Sequence, residues 1–499
     1  MDILLSTLAI SFAPEVVGAL LFGSIFGLVF GAIPGLTYTM ALALILPLTF
    51  TLDHTAAIAM LLSTFIGGAS GGTVAAILVG VPGTPSSAAT VVDGHRLAKA
   101  GKASLTVAMA TVVSTIGGLF SLIVMVFSVD FLASVALHFG PAEIFALLIF
   151  GMSTICGLAE RSIVRGLIGG VIGLMVMIVG QDPIDGVSRL TFGQVPLLQG
   201  VELLVAMIAL FAIPQVVEAF SQHHSGGETV VDPNTVKVEL PRPRYVWGFR
   251  WNIFRSSLLG TVIGAIPGTS GTIAAFLAYS QEKKLNKDKV AFGHGNMGGV
   301  VAPETSNNAV TGGSMIPVLG LGIPSDPATA LILGGLLIHG IQPGPLLFVE
   351  NPQVIYSIYM LFAASYVIVM IFMLFGVRLF VKALHVPHHL LALAIMVLCI
   401  VGSYSVRNSM FDVGTMIVIG FLGYLLQKAR IPLTPILLGL VLGPAMEREF
   451  RTAMIMSSDD PSIFYTSPTA LLFFAFAAIV VFKHTLSGLR SRNNQKKEA

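Results

Sequence analysis

The sequence predicts an all-α polytopic membrane protein made of two inverted-topology repeats, with broken helices or re-entrant hairpins in each. Two observations predict the class and a third predicts the repeat. Of 499 residues, 55% are hydrophobic and 10% are charged; a soluble domain carries about 25% charged residues, so this chain cannot cover a water-facing surface. Apolar runs such as residues 16–30, 105–129, 355–377 and 469–482 reach or approach the roughly 20 residues that a helix needs to cross a bilayer. Finally, Ser24-Ile-Phe-Gly27-Leu-Val-Phe-Gly31-Ala-Ile-Pro-Gly35 recurs as Ser257-Leu-Leu-Gly260-Thr-Val-Ile-Gly264-Ala-Ile-Pro-Gly268.

Two further motifs follow in the same order. Gly71-Gly72-Thr73 is echoed by Gly312-Gly313-Ser314, and Pro85-Ser86-Ser87-Ala-Ala-Thr90 by Pro324-Ser325-Asp326-Pro-Ala-Thr329. Ordered matches at nearly constant spacing point to a duplication, which apolar composition alone does not produce. The first half spans 1–220 and the second 251–485. A polar linker over 221–250 separates them, and a basic tail covers 486–499. Residues 63–85 and 307–324 alternate short apolar pieces with Gly, Ser, Thr and Pro, so each is expected to form a hairpin or broken helix. That gives about 11 or 12 helical elements. Gly (53) and Pro (26) are abundant, which suits close helix packing and interrupted spans.

Loop charges orient the halves. Residues 51–54 hold no Lys or Arg, whereas the equivalent loop carries Lys283, Lys284, Lys287 and Lys289. After the Pro85 motif the bias reverses: His95, Arg96, Lys99 and Lys102 follow it, whereas residues 334–345 hold no Lys or Arg. Positive loops favour the cytoplasm, so equivalent loops are expected on opposite membrane faces. The same rule places the linker end (Arg242, Arg244, Arg250, Arg255) and the tail in the cytoplasm. Asp2 and the lack of Lys or Arg in the first ten residues speak against a signal peptide. A net charge of +2 suggests neither nucleic acid nor an acidic partner. Cys156 and Cys399 lie in apolar runs and read as small buried hydrophobes.

The repeated motifs are rich in hydroxyl, amide and glycine positions and almost free of charge. The expected substrate-binding residues are Gly35, Thr37, Tyr38, Gly71, Gly72, Thr73, Pro82, Gly83, Thr84, Pro85, Ser86 and Ser87 in half one. In half two they are Gly268, Thr269, Ser270, Asn307, Asn308, Gly312, Gly313, Ser314, Pro324 and Ser325. Helices broken at such points offer free amides that bind anions without a basic side chain, and free carbonyls that bind cations. Packing and kinking are the plainer use of the same residues. Glu304 is either an ion ligand or proton carrier, or a cap for a helix beginning near Thr305. Asp326 is either an ion ligand or an N-cap. His95 and Arg96 either meet substrate carboxylates or lie in a solvated loop, and His138 and His339 read as structural or interfacial. No nucleotide-binding loop and no His-Glu-x-x-His site is present, and Ser70 lacks a paired His. The chain is therefore expected not to be an enzyme and to need no cofactor beyond Na⁺ or H⁺ as coupling ion.

At Gly31-Ala-Ile-Pro-Gly35, residues 80–90 with Asp93-Gly94, Asn307-Asn308-Ala309, and His339-Gly-Ile-Gln-Pro-Gly-Pro345, the sequence resembles the large membrane subunit of the tripartite tricarboxylate transporters, the TctA-like family. The likeness reaches to about Pro444. It implies a cation-coupled importer of small carboxylates in the bacterial inner membrane, working with a small membrane subunit and a periplasmic substrate-binding protein. An elevator-like motion of a transport region against a scaffold enters by analogy. Where the family pattern has Gly-Ile-Pro-Gly-Ser, this chain has Gly322-Ile-Pro-Ser325-Asp326, which suits a less charged substrate than citrate or Asp326 as a cation ligand. A self-sufficient carrier and a passive anion channel are the alternatives.

Overall fold

The computed structural model describes residues 2–158, 163–182, 185–221, 240–286, 290–383 and 388–498. Helices dominate; among the described residues the strands are two short pieces, Gly180–Gln181 paired antiparallel with Ser188–Arg189. Among the described residues, six helices are long and apolar enough to cross a membrane, and six shorter apolar ones accompany them. Counting every helix, the described residues hold more helical elements than the 11 or 12 expected.

Ten helices build the centre. In half one they are α1 (Pro14–Ala32), α2 (Tyr38–Thr49), α3 (His54–Leu78), α4 (Ala88–Leu97) and α5 (Ala103–Ala136). In half two they are α6 (Arg250–Ala265), α7 (Gly271–Leu285), α8 (Gly298–Leu321), α9 (Pro327–Ile338) and α10 (Pro352–Ala383). Local chemistry sets several ends. Thr37 caps α2 by accepting the Met40 N–H at 3.2 Å, and Asp53 caps α3 through the Thr55 N–H at 3.1 Å. α1 and α6 both stop at an extended Ile, Ile33 and Ile266, before a Pro-Gly turn.

Glycine explains which helices touch. Lipid offers no hydrophobic drive between helices, so close approach of small residues supplies the contact. A side chain at Gly27 would strike the Thr64 carbonyl, one at Gly31 the Gly68 carbonyl, and one at Gly71 the Leu28 carbonyl; α1 thus lies against α3. In half two, Gly260 meets the Ser306 carbonyl, Gly264 the Val310 carbonyl and Gly313 the Thr261 carbonyl, which seats α6 on α8. The halves then exchange helices: α5 packs on α8, with Gly117 against Thr305 and Gly312 against Ser121, while α10 packs on α3. α3 and α8 are buried along almost their whole length.

Three expectations need correction. The glycines at 67–72 do not interrupt α3, and α8 runs unbroken through Asn307, Gly312 and Pro317. Each of those glycines is used for packing, so the helix continues until a left-handed glycine ends it: Gly80 (φ +79°) after α3 and Gly322 (φ +70°) after α8. The breaks therefore fall at 79–87 and 322–326. Secondly, α8 begins at Gly298, so Glu304 sits inside the helix and does not cap one starting near Thr305. His95 and Arg96 also lie on α4 rather than in a loop. Most of the linker expected at 221–250, together with Lys287 and Lys289, lies outside the described residues.

Candidate functional site

Each break is a short polar knot. In the first, the Ser87 hydroxyl donates to the Thr84 carbonyl at 2.8 Å, and the Thr84 and Ser86 hydroxyls lie 3.1 Å apart. Pro82 and Pro85 prevent this segment from continuing α3. Gly83 is pressed against the Gly31 carbonyl and 2.8 Å from the Gly72 Cα, measured from where its Cβ would be. In the second break, Asp326 accepts the Thr329 N–H at 2.8 Å and the Thr329 hydroxyl at 2.7 Å. That is a capping box for α9, with Pro327 at its first position. Ser325 faces the Ser314 carbonyl at 3.5 Å.

The two Pro-Gly turns close these breaks into a ring. Gly35 (φ +90°) and Gly268 (φ +83°) occupy the left-handed region that only glycine enters without strain. The Gly268 N–H donates to the Ser325 carbonyl at 2.7 Å, joining the second turn to the second break. Crossing over, α7 packs on Pro85–Ser87 and α2 packs on α9. A Cβ at Gly271 would stand 3.4 Å from the Ser86 Cβ and 2.6 Å from the Asn307 Oδ1. Tyr38 lies within electrostatic reach of Asp326. The second turn thus bonds the second break, and the helix that follows it, α7, packs on the first.

Next to the ring lie buried carboxylates. Glu304 is fully buried and accepts hydroxyl hydrogens from Thr73 and Thr90, both at 2.5 Å, and from Ser114 at 3.3 Å. All three donors belong to half one, whereas Glu304 belongs to half two. Beside it, Ser70 donates to the Asn308 Oδ1 at 2.8 Å and the Asn307 amide donates to the Ala69 carbonyl at 3.0 Å. Asp93, equally buried, is held by backbone amides of half two. Among the described residues, no Lys, Arg or His is fully buried. An anion here would be held by dipoles, and a cation would meet oxygen.

Most of the expected residues come together at these places. Thr73, Asn307, Asn308, Thr84, Ser86, Ser87, Pro324, Ser325, Gly268, Ser270, Thr37 and Tyr38 line or support the ring and the Glu304 cluster. Gly71, Gly72, Gly312 and Gly313 serve helix contact, with Gly72 against Thr84. Thr269 turns its hydroxyl back on the Ile266 carbonyl at 2.9 Å, and Ser314 does the same to Thr311 at 3.0 Å. Sequence reasoning missed Thr90, Asp93 and Ser114, and also Gln215, whose side chain reaches Thr37 at 3.2 Å. Thr90 and Asp93 both stand in quoted motifs; Ser114 and Gln215 carry no local signal. His339 meets the Thr49 hydroxyl at 3.0 Å, in keeping with a structural role, and both cysteines are buried.

Comparison with known proteins decides the family. Residues 17–438 match the tripartite tricarboxylate transporter TctA family. The chain belongs to that family. It is also 35% identical over 464 residues to an uncharacterized 52.8 kDa protein in the TAR-I ttuC' 3' region of Agrobacterium vitis, covering 92% of this chain and 90% of that one. A second protein, in the TAR-II ttuC' 3' region of the same organism, is 39% identical over 236 residues, or 47% of this chain and 98% of its own. No solved structure matches. This TctA-family chain is accordingly a multi-pass membrane protein and a component of a tricarboxylate transporter, within a tripartite system that implies partner subunits. The ring and the Glu304 cluster are its candidate site.

Proposed function

We propose that this chain is the transporting subunit of a secondary importer that moves small di- or tricarboxylates with Na⁺ or H⁺. The observation that carries the reading is the ring itself: two helix breaks and two Pro-Gly turns, with α7 of half two packed on the first break and α2 of half one on α9, set beside the buried Glu304 carboxylate. Within it, Ser270 makes no side-chain cap on α7, and the N-terminus of that 15-residue helix lies beside Ser86 and Asn307. Such a terminus carries partial positive charge and suits a carboxylate. Glu304 and Asp326 supply the negative oxygens for the coupling cation. The substrate arrives from a periplasmic binding protein, and a small membrane subunit completes the assembly in the bacterial inner membrane, with the C-terminal tail cytoplasmic. Transport is elevator-like, the two motif sets moving together against the outer helices.

Uptake of labelled citrate and smaller carboxylates into proteoliposomes tests this. The vesicles hold the chain and its small partner, with and without binding protein, under imposed Na⁺ or H⁺ gradients. Gradient-driven uptake that requires the binding protein is expected, and it identifies ion and substrate together. Uptake without the binding protein overturns the tripartite dependence, and flux indifferent to both gradients overturns the coupling.

A further inference from the structure

Asp93 occupies a site made for a carboxylate. Its Oδ1 accepts the backbone N–H groups of Gly293 (2.9 Å), Gly295 (2.8 Å) and Asn296 (2.8 Å), and its Oδ2 accepts the Tyr279 hydroxyl at 2.9 Å. Gly293 and Gly295 both have positive φ, +85° and +92°, which turns neighbouring amides toward one point, an anion-binding nest. Asn296 stiffens that loop by donating to the Val290 carbonyl at 2.6 Å and accepting the Gly298 N–H at 2.7 Å. A Cβ at Gly299 would collide with Asp93, so α8 starts directly over the carboxylate.

The consequence lies on α4. Thr90 and Asp93, three residues apart, share one face of this helix. Thr90 reaches Glu304 and Asp93 reaches the loop before α8. Half one thus offers a carboxylate to donors of half two, and half two offers a carboxylate to donors of half one. α4 follows immediately on the Pro85–Ser87 break, so the docking of α4 fixes where Ser86 stands against Gly271.

We infer that Asp93 is a positioning residue for transport: seated in the Gly293–Gly295–Asn296 nest, it fixes the first break against the α7 N-terminus and thereby sets substrate affinity. This rests on the transport reading above. Asp93 itself touches no substrate.

The experiment compares the full chain with Asp93→Ala, Asp93→Glu and Tyr279→Phe in proteoliposomes with the partner subunits, with and without formate. Asp93→Ala is expected to raise the half-saturating substrate concentration about tenfold with a smaller change in maximal rate, as misplacement of a binding group does. Formate, which fits the vacated nest, is expected to restore part of the loss in Asp93→Ala and to leave the unsubstituted protein unchanged. Tyr279→Phe removes one of the four donors and is expected to shift affinity in the same direction by a smaller factor, which keeps the inference testable if Asp93→Ala fails to fold. Amide hydrogen exchange on the purified chain supplies a readout independent of transport: Gly293, Gly295 and Asn296 should exchange faster in Asp93→Ala and slow again with formate. Faster exchange with unchanged affinity would overturn the positioning role and leave the transport reading intact. Absence of uptake by the unsubstituted protein would overturn the transport reading itself, whatever the exchange shows.

Discussion

Glu304 has to satisfy a carboxylate inside a helix bundle, and it does so entirely with hydroxyls. Thr73, Thr90 and Ser114 are 231, 214 and 190 residues away in sequence, so its surroundings exist only once both halves have folded together. Charge-assisted hydrogen bonds of this kind are the strong ones, and each hydroxyl left without its acceptor costs about 1–3 kcal/mol. Glu304→Ala is therefore expected to lower the unfolding midpoint in detergent by the equivalent of at least about 2 kcal/mol. Glu304→Gln keeps the shape and most of the bonds but cannot carry a proton or a full negative charge. It is expected to leave stability nearly unchanged and to abolish the response of uptake to an ion gradient. Undiminished gradient response in Glu304→Gln would remove this residue from the coupling step.

At the scale of the element, glycines that look alike do different things. Gly35 has open space around its absent Cβ, whereas Gly31 faces the Gly68 carbonyl. Gly35→Ala is expected to cost only the left-handed backbone penalty, about 1–2 kcal/mol. Gly31→Ala forces α1 away from α3 and is expected to cost about 3 kcal/mol; thermal unfolding of the two variants should rank them in that order. Asp326 belongs to this scale too. Its capping box with Thr329 begins α9, and Asp326→Ala is expected to destabilise by about 1 kcal/mol. Asp326→Asn, which still accepts the Thr329 N–H, should recover most of that stability. If Asp326→Asn nonetheless loses transport, the charge has a use beyond capping.

At the scale of the molecule, the crossing of the halves is the main result. α7 packs on the first break and α2 on α9, so substrate access requires those contacts to loosen or to travel as one body. The Ser86 Cβ and an added Cβ at Gly271 lie 3.4 Å apart, close to the spacing of a disulfide. The pair Ser86→Cys with Gly271→Cys is expected to cross-link on oxidation. If the first break moves relative to α7 during the cycle, the cross-link stops uptake and reduction restores it, with Gly271→Cys alone as control. Full activity in the oxidised pair would mean that break and turn move together. Packing also explains what was misread. Glycines 67–72 look like a helix break in isolation, but α1 supplies the close backbone contact that makes them part of a continuous helix.

The sequence by itself determined the membrane class, the family resemblance, the two sets of motifs and most residues of the ring. Composition, periodicity and short motifs act locally, so they are visible along the chain. Only the tertiary structure decided where the helices end, that Glu304 lies within α8, and that Thr90, Ser114 and Asp93 tie the halves together. A hydrogen bond across 190–231 residues leaves no local trace: any buried serine or threonine could have been the partner, and packing of α3, α4 and α5 on α8 selected these three.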